Sequence, residues 1–151
     1  MVWIGEAPGR AEDLAGRPFV GASGRRLDRA IADLGLGPEE FGIVNLVKCR
    51  PPANRLPRAS VVACRPYLER QLHLLDPRFV ITLGRHALSE LVPGAGPITR
   101  VAGCELVWNG RPLVPLLHPA AILHNPVLAP RWADDLRRLG RVLDRVLRQT
   151  L

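Results

Sequence analysis

The sequence of 151 residues contains little lysine, few cysteines and no long hydrophobic run. No apolar stretch approaches the roughly 20 residues that a membrane-spanning helix needs, and no signal-peptide pattern follows Met1. We therefore expect a cytoplasmic protein that contacts no membrane. The three cysteines are an odd number at long spacings, which argues against a disulfide framework.

The basic charge comes almost entirely from arginine. Of 21 lysines and arginines, Lys48 is the only lysine, and the formal net charge is +7 with a sequence pI of about 10.8. A basic surface favours a polyanionic partner, with DNA or RNA first. A GC-rich genome would produce the same excess of arginine, so charge alone leaves both explanations open.

Alternating strand and helix patterns predict an α/β fold in one domain over residues 1–151. We expect strands at residues 2–4, 41–47, 79–83, 105–108 and 112–117, with a hairpin turn at Asn109-Gly110. We expect four helices: one over residues 27–34 that Ser23 caps, and others near residues 60–75, 85–91 and 131–147. Pro66 suggests that the second helix starts after residue 60. Residues 10–24 are interpreted as a loop, and residues 118–130 as a loop or broken helix.

Four chemically useful side chains follow predicted strands. Glu6 lies in the turn Gly5-Glu6-Ala7-Pro8-Gly9, Phe19 lies further along the same segment, Asn45 ends the second strand and His118 follows the last. The carboxyl ends of parallel strands meet at one edge, so these residues are expected to share a cleft. A phenyl ring can stack on a flat ligand, an amide can read the edge of a base, and a histidine can stabilise a leaving oxyanion. Taken singly, each residue also has an ordinary interpretation as a turn, cap or core residue.

Three longer motifs combine these residues: GEAPGRAEDLAGRPFVGASGRRLD, NLVKCRPPANRLP and HPAAILHNP. In this order they resemble the uracil-DNA glycosylase superfamily, and most closely its bacterial and archaeal family-four type. The likeness runs from Gly5 to the final helix. It implies a three-layer α/β/α fold with a short, mostly parallel four-stranded sheet. It also implies excision of uracil from single- or double-stranded DNA by hydrolysis of the N-glycosidic bond; we expect a monomer.

The resemblance also assigns roles to individual residues. Phe19 would stack on the flipped uracil beside Gly5, Asn45 would read the polar edge of uracil and exclude cytosine, and His118 would face O2 of the leaving base. Ile122 matches the apolar wedge that fills the gap in the DNA. Contacts with the DNA backbone are expected from the surrounding loops, at Pro8, Gly9, Arg10, Arg17, Arg25, Arg50 and Arg55.

Ala7 departs from the better-known branch of the superfamily, which has an aspartate here to position the attacking water. The family-four type also lacks that aspartate. Glu6 is the nearest carboxylate and the first candidate to replace it, so we expect it to be catalytic with His118 and Asn45. Asn54 is the second candidate for the water. Alternatively, Glu6 binds backbone amides and shapes its turn.

The family-four type generally carries a [4Fe-4S] cluster on four cysteines. Cys49 and Cys64 match two of these positions, the other two would precede the first strand, and Cys104 does not match the pattern. Since two thiolates cannot hold such a cluster with the usual ligand set, we expect no metal in this sequence as it stands. Either the sequence is truncated or this version lacks the cluster.

Two other functions stay open at this point. One is a glycosylase that acts on hypoxanthine or on mismatched bases, and the other is a DNA-binding module without turnover. A covalent uracil-trapping relative has a basic, histidine-bearing insertion in the second motif. KCRPPANRLPR contains no such insertion.

Overall fold

The computed structural model describes residues 1–148 and contains one five-stranded sheet. The strands are β1 (Val2–Gly5), β2 (Gly42–Asn45), β3 (Val80–Leu83), β4 (Leu106–Trp108) and β5 (Arg111–Leu116). Their order across the sheet is β2-β1-β3-β5-β4, with only β4 antiparallel to its neighbour. The three-layer, mostly parallel α/β prediction is confirmed, but the sheet has five strands instead of four. The extra strand comes from the predicted hairpin, in which Asn109 and Gly110 both have positive φ.

Seven helices surround this sheet within residues 1–148. They are α1 (Arg10–Ala15), α2 (Ala22–Asp33), α3 (Arg58–Leu75), α4 (Arg85–Leu91), α5 (Ile98–Val101), α6 (Pro119–His124) and α7 (Ala129–Arg148). Short 3-10 turns at Pro52–Asn54 and Pro126–Leu128 complete the helical structure of this part of the chain. The described chain contains no helix long and apolar enough to cross a membrane.

Two hydrophobic cores hold the layers together, one on each face of the sheet. Trp3 and Ile81 face the core that α2, α6 and α7 cover, whereas Ile4 and Val80 face the core under α3 and α4. Side chains alternate between the faces of a strand, so a central parallel strand must be apolar on both. This explains why β1, β3 and most of β5 are fully buried.

Three helix boundaries differ from the sequence-based expectations. Residues 10–24 are not all loop, because α1 forms in a short exposed segment whose lack of buried residues hides any apolar periodicity. Gly21, not Ser23, precedes α2. The helix α3 begins at Arg58, directly after Pro57, and Pro66 lies inside it; the expected delay at Pro66 was wrong. The expected broken helix over residues 118–130 is confirmed by α6 and the 3-10 turn that follows.

Candidate active site

A cleft of about 560 Å³ opens at the carboxyl edge of the parallel strands. Its walls come from the loop after β1 (residues 6–21, the β1 loop), the loop after β2 (residues 46–57, the β2 loop) and α6 with the residue before it. The structure brings most of the expected site residues together here: Glu6, Pro8, Gly9, Arg10, Phe19, Asn45, Asn54 and His118. The cleft lies where ligands bind in parallel α/β sheets.

Asn45 and Gly5 pair across β2 and β1 at the floor of this cleft. A Cβ atom at Gly5 would lie 2.4 Å from Oδ1 of Asn45 and 2.7 Å from Cζ of Phe19, so only glycine lets the two side chains converge. Oδ1 of Asn45 is buried and has no hydrogen-bond partner. An unsatisfied buried acceptor costs about 1–3 kcal/mol. Asn45 lines the cleft, so its unpaired acceptor is a candidate partner for a ligand donor.

Phe19 forms an apolar wall next to His118. The two ring centroids are 5.9 Å apart and the planes are tilted by 31°. The backbone of Phe19 has a φ of +52°, a left-handed conformation that costs about 1–3 kcal/mol outside glycine. A Cβ at Gly24 would lie 1.8 Å from the carbonyl oxygen of Phe19. The first turn of α2 thus packs directly against the main chain that holds the ring.

Glu12 organises the β1 loop, although it was not among the expected site residues. Its carboxylate accepts hydrogen bonds from the backbone N–H groups of Gly9, Val20 and Gly21, at 3.1, 3.0 and 3.0 Å. Burial acts to raise the pKa of Glu12, but these backbone donors outweigh it and hold the pKa below its usual value. Glu12 stands three residues after Gly9, where the glutamate of a capping box reaches back to the N-cap amide, but Gly9 lacks the side chain that makes this pattern recognisable in a sequence.

His118 precedes α6 and is held in one orientation by its own helix. Its Nδ1 accepts a hydrogen bond of 3.1 Å from the backbone N–H of Ala120. Burial lowers the pKa of His118 to about 4, against the opposing attraction of the Glu12 carboxylate. The imidazole is therefore neutral near pH 7, with its proton on Nε2. Such a group can donate one hydrogen bond into the cleft.

Glu6 lies between the cleft and the start of α4. A Cβ at Gly84 would approach Oε1 of Glu6 to 2.7 Å and Cβ of His118 to 3.2 Å. Burial raises the pKa of Glu6 above its usual value, opposed by the charges of His86 and Arg85 and by a hydrogen bond from the His86 backbone. Glu6 thus both lines the cleft and binds a backbone amide.

Asn54 reaches the cleft from the β2 loop. It and Ala53 have φ values of +52° and +53°, so the turn after Pro52 is a strained one. Oδ1 of Asn54 accepts a hydrogen bond of 3.1 Å from Nε of Arg50. Arg50 therefore braces Asn54 from outside the cleft, while Arg55 is exposed beyond it.

The expected wedge residue does not match the structure. Ile122 is 1% exposed and packs in the core with α2 and α7, so it is not available to DNA. The next residue, Leu123, is 40% exposed and lines the cleft. Successive residues point about 100° apart around a helix. A displacement of one position along α6 therefore exchanges a core side chain for a cleft side chain.

Comparison with known proteins identifies the family. The model of the Uracil DNA glycosylase superfamily matches residues 1–137. The chain belongs to this superfamily. A Type-4 uracil-DNA glycosylase of Sulfurisphaera tokodaii is 41% identical over 92% of this chain and 68% of the relative. Type-4 enzymes of Saccharolobus solfataricus and Thermotoga maritima are 43% and 38% identical, over 95% and 92% of this chain and 71% of each relative. The resemblance drawn from the three motifs is confirmed.

The cysteines of this superfamily member do not make a complete metal site in the described chain. Cys49 is exposed on the β2 loop, Cys64 is half-buried on α3, and both are free thiols. Residues 1–148 contain no group of three or more histidine, cysteine or acidic side chains that could hold a metal ion. A [4Fe-4S] cluster is usually held by four thiolates. The residues present do not fit that group by themselves.

Proposed function

We infer that this protein is a uracil-DNA glycosylase, which hydrolyses the N-glycosidic bond of uracil in DNA during repair and leaves an abasic site. Its superfamily membership and the Type-4 relatives support this activity. The single observation that carries it to these residues is the unpaired, buried Oδ1 of Asn45 beside Phe19 and His118. The site is built to receive one flat ligand with a hydrogen-bond donor.

Base selection would follow from the Asn45 carboxamide. Uracil has an N–H at N3, which can donate to Oδ1, and a carbonyl at position 4, which can accept from the amide nitrogen. Cytosine has a lone pair at N3, which would repel Oδ1, and an amino group at position 4, which would repel the amide nitrogen. A site built to satisfy one hydrogen-bond pattern rejects a mismatched ligand strongly, because its own buried polar groups stay unpaired. Phe19 would stack on the selected base.

His118 would stabilise the leaving base. The base must first leave the duplex, at a cost of a few kcal/mol. As the N-glycosidic bond breaks, its electron pair moves to uracil and negative charge grows on O2. The neutral His118 imidazole donates from Nε2 to that oxygen, and one such preorganised donor is worth about 3–4 kcal/mol. Water then adds its oxygen to the sugar cation, and its proton neutralises the uracil anion.

Two side chains in the cleft can hold that water, Glu6 and Asn54. The Glu6 carboxylate lies against Gly84, as does Cβ of His118, and it is bound by the His86 amide. Asn54 stands on the β2 loop with Oδ1 fixed by Arg50, which leaves its amide nitrogen to bind another group. The rates of Glu6→Gln and Asn54→Ala would separate the two assignments.

Contacts with DNA would surround the cleft. Leu123, the exposed apolar residue of α6, would fill the gap left by the flipped base in place of Ile122. Arginines around the rim would bind phosphates, and such binding weakens as salt rises. They include Arg10 in the cleft, Arg50 against Asn54, and the exposed Arg17, Arg25 and Arg55. Pro8 and Gly9 lie at the same rim and would let the DNA backbone approach. We propose that a monomer acts on single- and double-stranded DNA.

Incubation with uracil-containing single- and double-stranded DNA, followed by alkaline cleavage of abasic sites, tests the function. With the wild type, alkali should cleave the strand at positions that held uracil and not at cytosine or hypoxanthine. Asn45→Ala and His118→Ala should each slow single-turnover excision about 100- to 1000-fold, as loss of one preorganised catalytic group does. The exposed residues Asn109 and His73 provide controls, and Asn109→Asp and His73→Ala should keep the wild-type rate. DNA binding without scission would contradict the proposal, and scission at hypoxanthine alone would indicate a different base.

A further inference from the structure

Lys48 lies directly behind the residue that would read the base. Its ammonium nitrogen is 2.5 Å from the backbone carbonyl oxygen of Asn45 and 2.5 Å from Oε1 of Gln71 on α3, and it donates to both. The side chain is half-buried. It therefore ties the end of β2 to the helix that covers the same face of the sheet.

The position of Asn45 explains why its carbonyl needs a side-chain partner. Asn45 is the last residue of β2, and β2 is an edge strand that pairs only with β1. After it, the backbone N–H groups of Leu46 and Val47 turn to the carbonyls of Gly5 and Glu6. In a parallel ladder the groups of alternate residues point to opposite sides, so the Asn45 carbonyl faces the open edge. The Lys48 ammonium donates to this carbonyl the hydrogen bond that a neighbouring strand would otherwise donate.

The identity of this residue fits the geometry. Lys48 is the only lysine among 21 basic residues, so arginine serves elsewhere in the chain and not here. An ammonium is compact and its donors rotate freely, so it can serve two acceptors that converge on one point. A guanidinium is a wider planar fork whose donors point in fixed directions. The two acceptors of Lys48 share a single nitrogen, an arrangement that an ammonium matches.

We propose that Lys48 is a positioning residue for base recognition: by holding the Asn45 carbonyl, it fixes the peptide from which the base-reading carboxamide projects. The proposal rests on the uracil-excision function inferred above. Misplacement of a catalytic group by about 1 Å can cost a factor of 100 in rate. Loss of the ammonium should therefore slow the chemical step while leaving DNA affinity almost unchanged, since the nitrogen faces Asn45 and Gln71 and not the cleft.

A double-mutant cycle with Lys48→Met and Asn45→Ala tests this role. Single-turnover excision and the half-saturating enzyme concentration are measured on one uracil-containing oligonucleotide. Lys48→Met should slow excision by about 10- to 50-fold in the wild-type background but less than about 2-fold in the Asn45→Ala background, because coupled residues are not additive. The half-saturating enzyme concentration of Lys48→Met should differ less than about 2-fold from that of the wild type. Arg70→Met removes one charge from an exposed neighbouring position and should match the wild type.

Two results would overturn the proposal. Equal slowing by Lys48→Met in both backgrounds would mean that Lys48 acts independently of Asn45. A raised half-saturation at an unchanged rate would make it a phosphate contact. If Lys48→Met does not fold, Gln71→Leu takes its place, with an expected slowing of about 3-fold that must also vanish in the Asn45→Ala background. If the wild type releases no uracil, the inferred function itself is wrong. The wild-type activity is measured before any variant is compared, so the two failures are distinguishable.

Discussion

The β1 loop and the β2 loop form two walls of one cleft, but they are held in different ways. The β1 loop is tied internally, because Glu12 binds three of its backbone amides and α2 packs against Phe19. The β2 loop carries two non-glycine residues with positive φ and an exposed cysteine. Its side-chain hydrogen bonds join Lys48, at its start, to Asn45 and Gln71, and join Arg50 to Asn54. We infer that the β1 loop is preorganised by its own hydrogen bonds. The β2 loop depends instead on the contacts where it leaves β2 and on the ligand or DNA that it binds.

The largest effect is expected from Gly24→Ala, which disrupts the packing of α2 against the β1 loop. The new Cβ would lie 1.8 Å from the carbonyl oxygen of Phe19 and 2.1 Å from its carbonyl carbon, and backbone cannot yield as a flexible side chain does. We expect a loss of about 3 kcal/mol in the free energy of unfolding and a fall in excision rate of more than about 100-fold. Urea denaturation and single-turnover assays measure the two.

Gly140→Ala is the matched control for this change. Gly140 is also interior to a helix, α7, and a Cβ there would meet only Leu34 at an ordinary 3.5 Å. Alanine should therefore stabilise the protein by about 0.5–1 kcal/mol without changing the rate. Wild-type activity in Gly24→Ala would contradict the idea that α2 fixes Phe19.

The next effect is expected from Glu12→Ala. Three charge-assisted hydrogen bonds are lost, but solvent reaches the carboxylate, so we expect about 2 kcal/mol of destabilisation instead of the full sum. The pKa of Glu12 is lowered on folding. Its contribution is therefore present above the ordinary pKa of 4.5 and is lost as the pH falls below that value.

Urea denaturation of the wild type and Glu12→Ala at several pH values checks both parts of this prediction. The stability difference should be largest near pH 7 and should shrink below pH 4.5. The exposed neighbour Asp13 provides the control, since Asp13→Asn should change little at either pH. A difference that stays constant with pH would show that the carboxylate charge does not hold the β1 loop.

These two loops also mark where the sequence was and was not informative. The strands, the hairpin and the cleft residues Phe19, Asn45 and His118 could be predicted, because buried parallel strands have long apolar patterns and their ends must meet. The motifs then identified the family. The helix α1 was missed because it buries no residue and so has no apolar period.

Two features of the site follow only from the folded structure. Glu12 is an ordinary surface glutamate in the sequence, and only folding brings the Val20 and Gly21 amides to it. The exchange of Ile122 for Leu123 depends on the rotation of α6 by a single residue, and both are apolar. Composition and motif spacing do not resolve a helix phase at that precision.

Asn54→Ala probes the β2 loop and should have a different profile. If Asn54 holds the water, excision should slow about tenfold, the equivalent of one hydrogen bond. The free energy of unfolding should fall by no more than about 1 kcal/mol, because Asn54 is exposed and alanine adopts a φ of +52° somewhat less readily than asparagine does. Single-turnover rates and thermal melts measure the two quantities. Arg55→Ala, at the exposed next position, should weaken DNA binding at low salt without slowing the chemical step.

The smallest effect is expected from Glu6→Gln, and its sign is opposite to that of Glu12. Burial raises the pKa of Glu6 on folding, so its ionised form is disfavoured in the native state. The resulting loss of stability sets in as the pH rises through the raised pKa and is absent below the ordinary value of 4.5.

Glutamine can still accept from the His86 amide and carries no charge. We therefore expect a gain of no more than about 1 kcal/mol at pH 7, since the charge of Arg85 and the hydrogen bond from the His86 backbone already offset part of the burial. Denaturation at pH 7 and pH 4 measures it: the gain should disappear at pH 4. Destabilisation at pH 7 would mean that the ionised Glu6 supports the turn, as Glu12 supports the β1 loop, and the contrast between these two carboxylates would not hold.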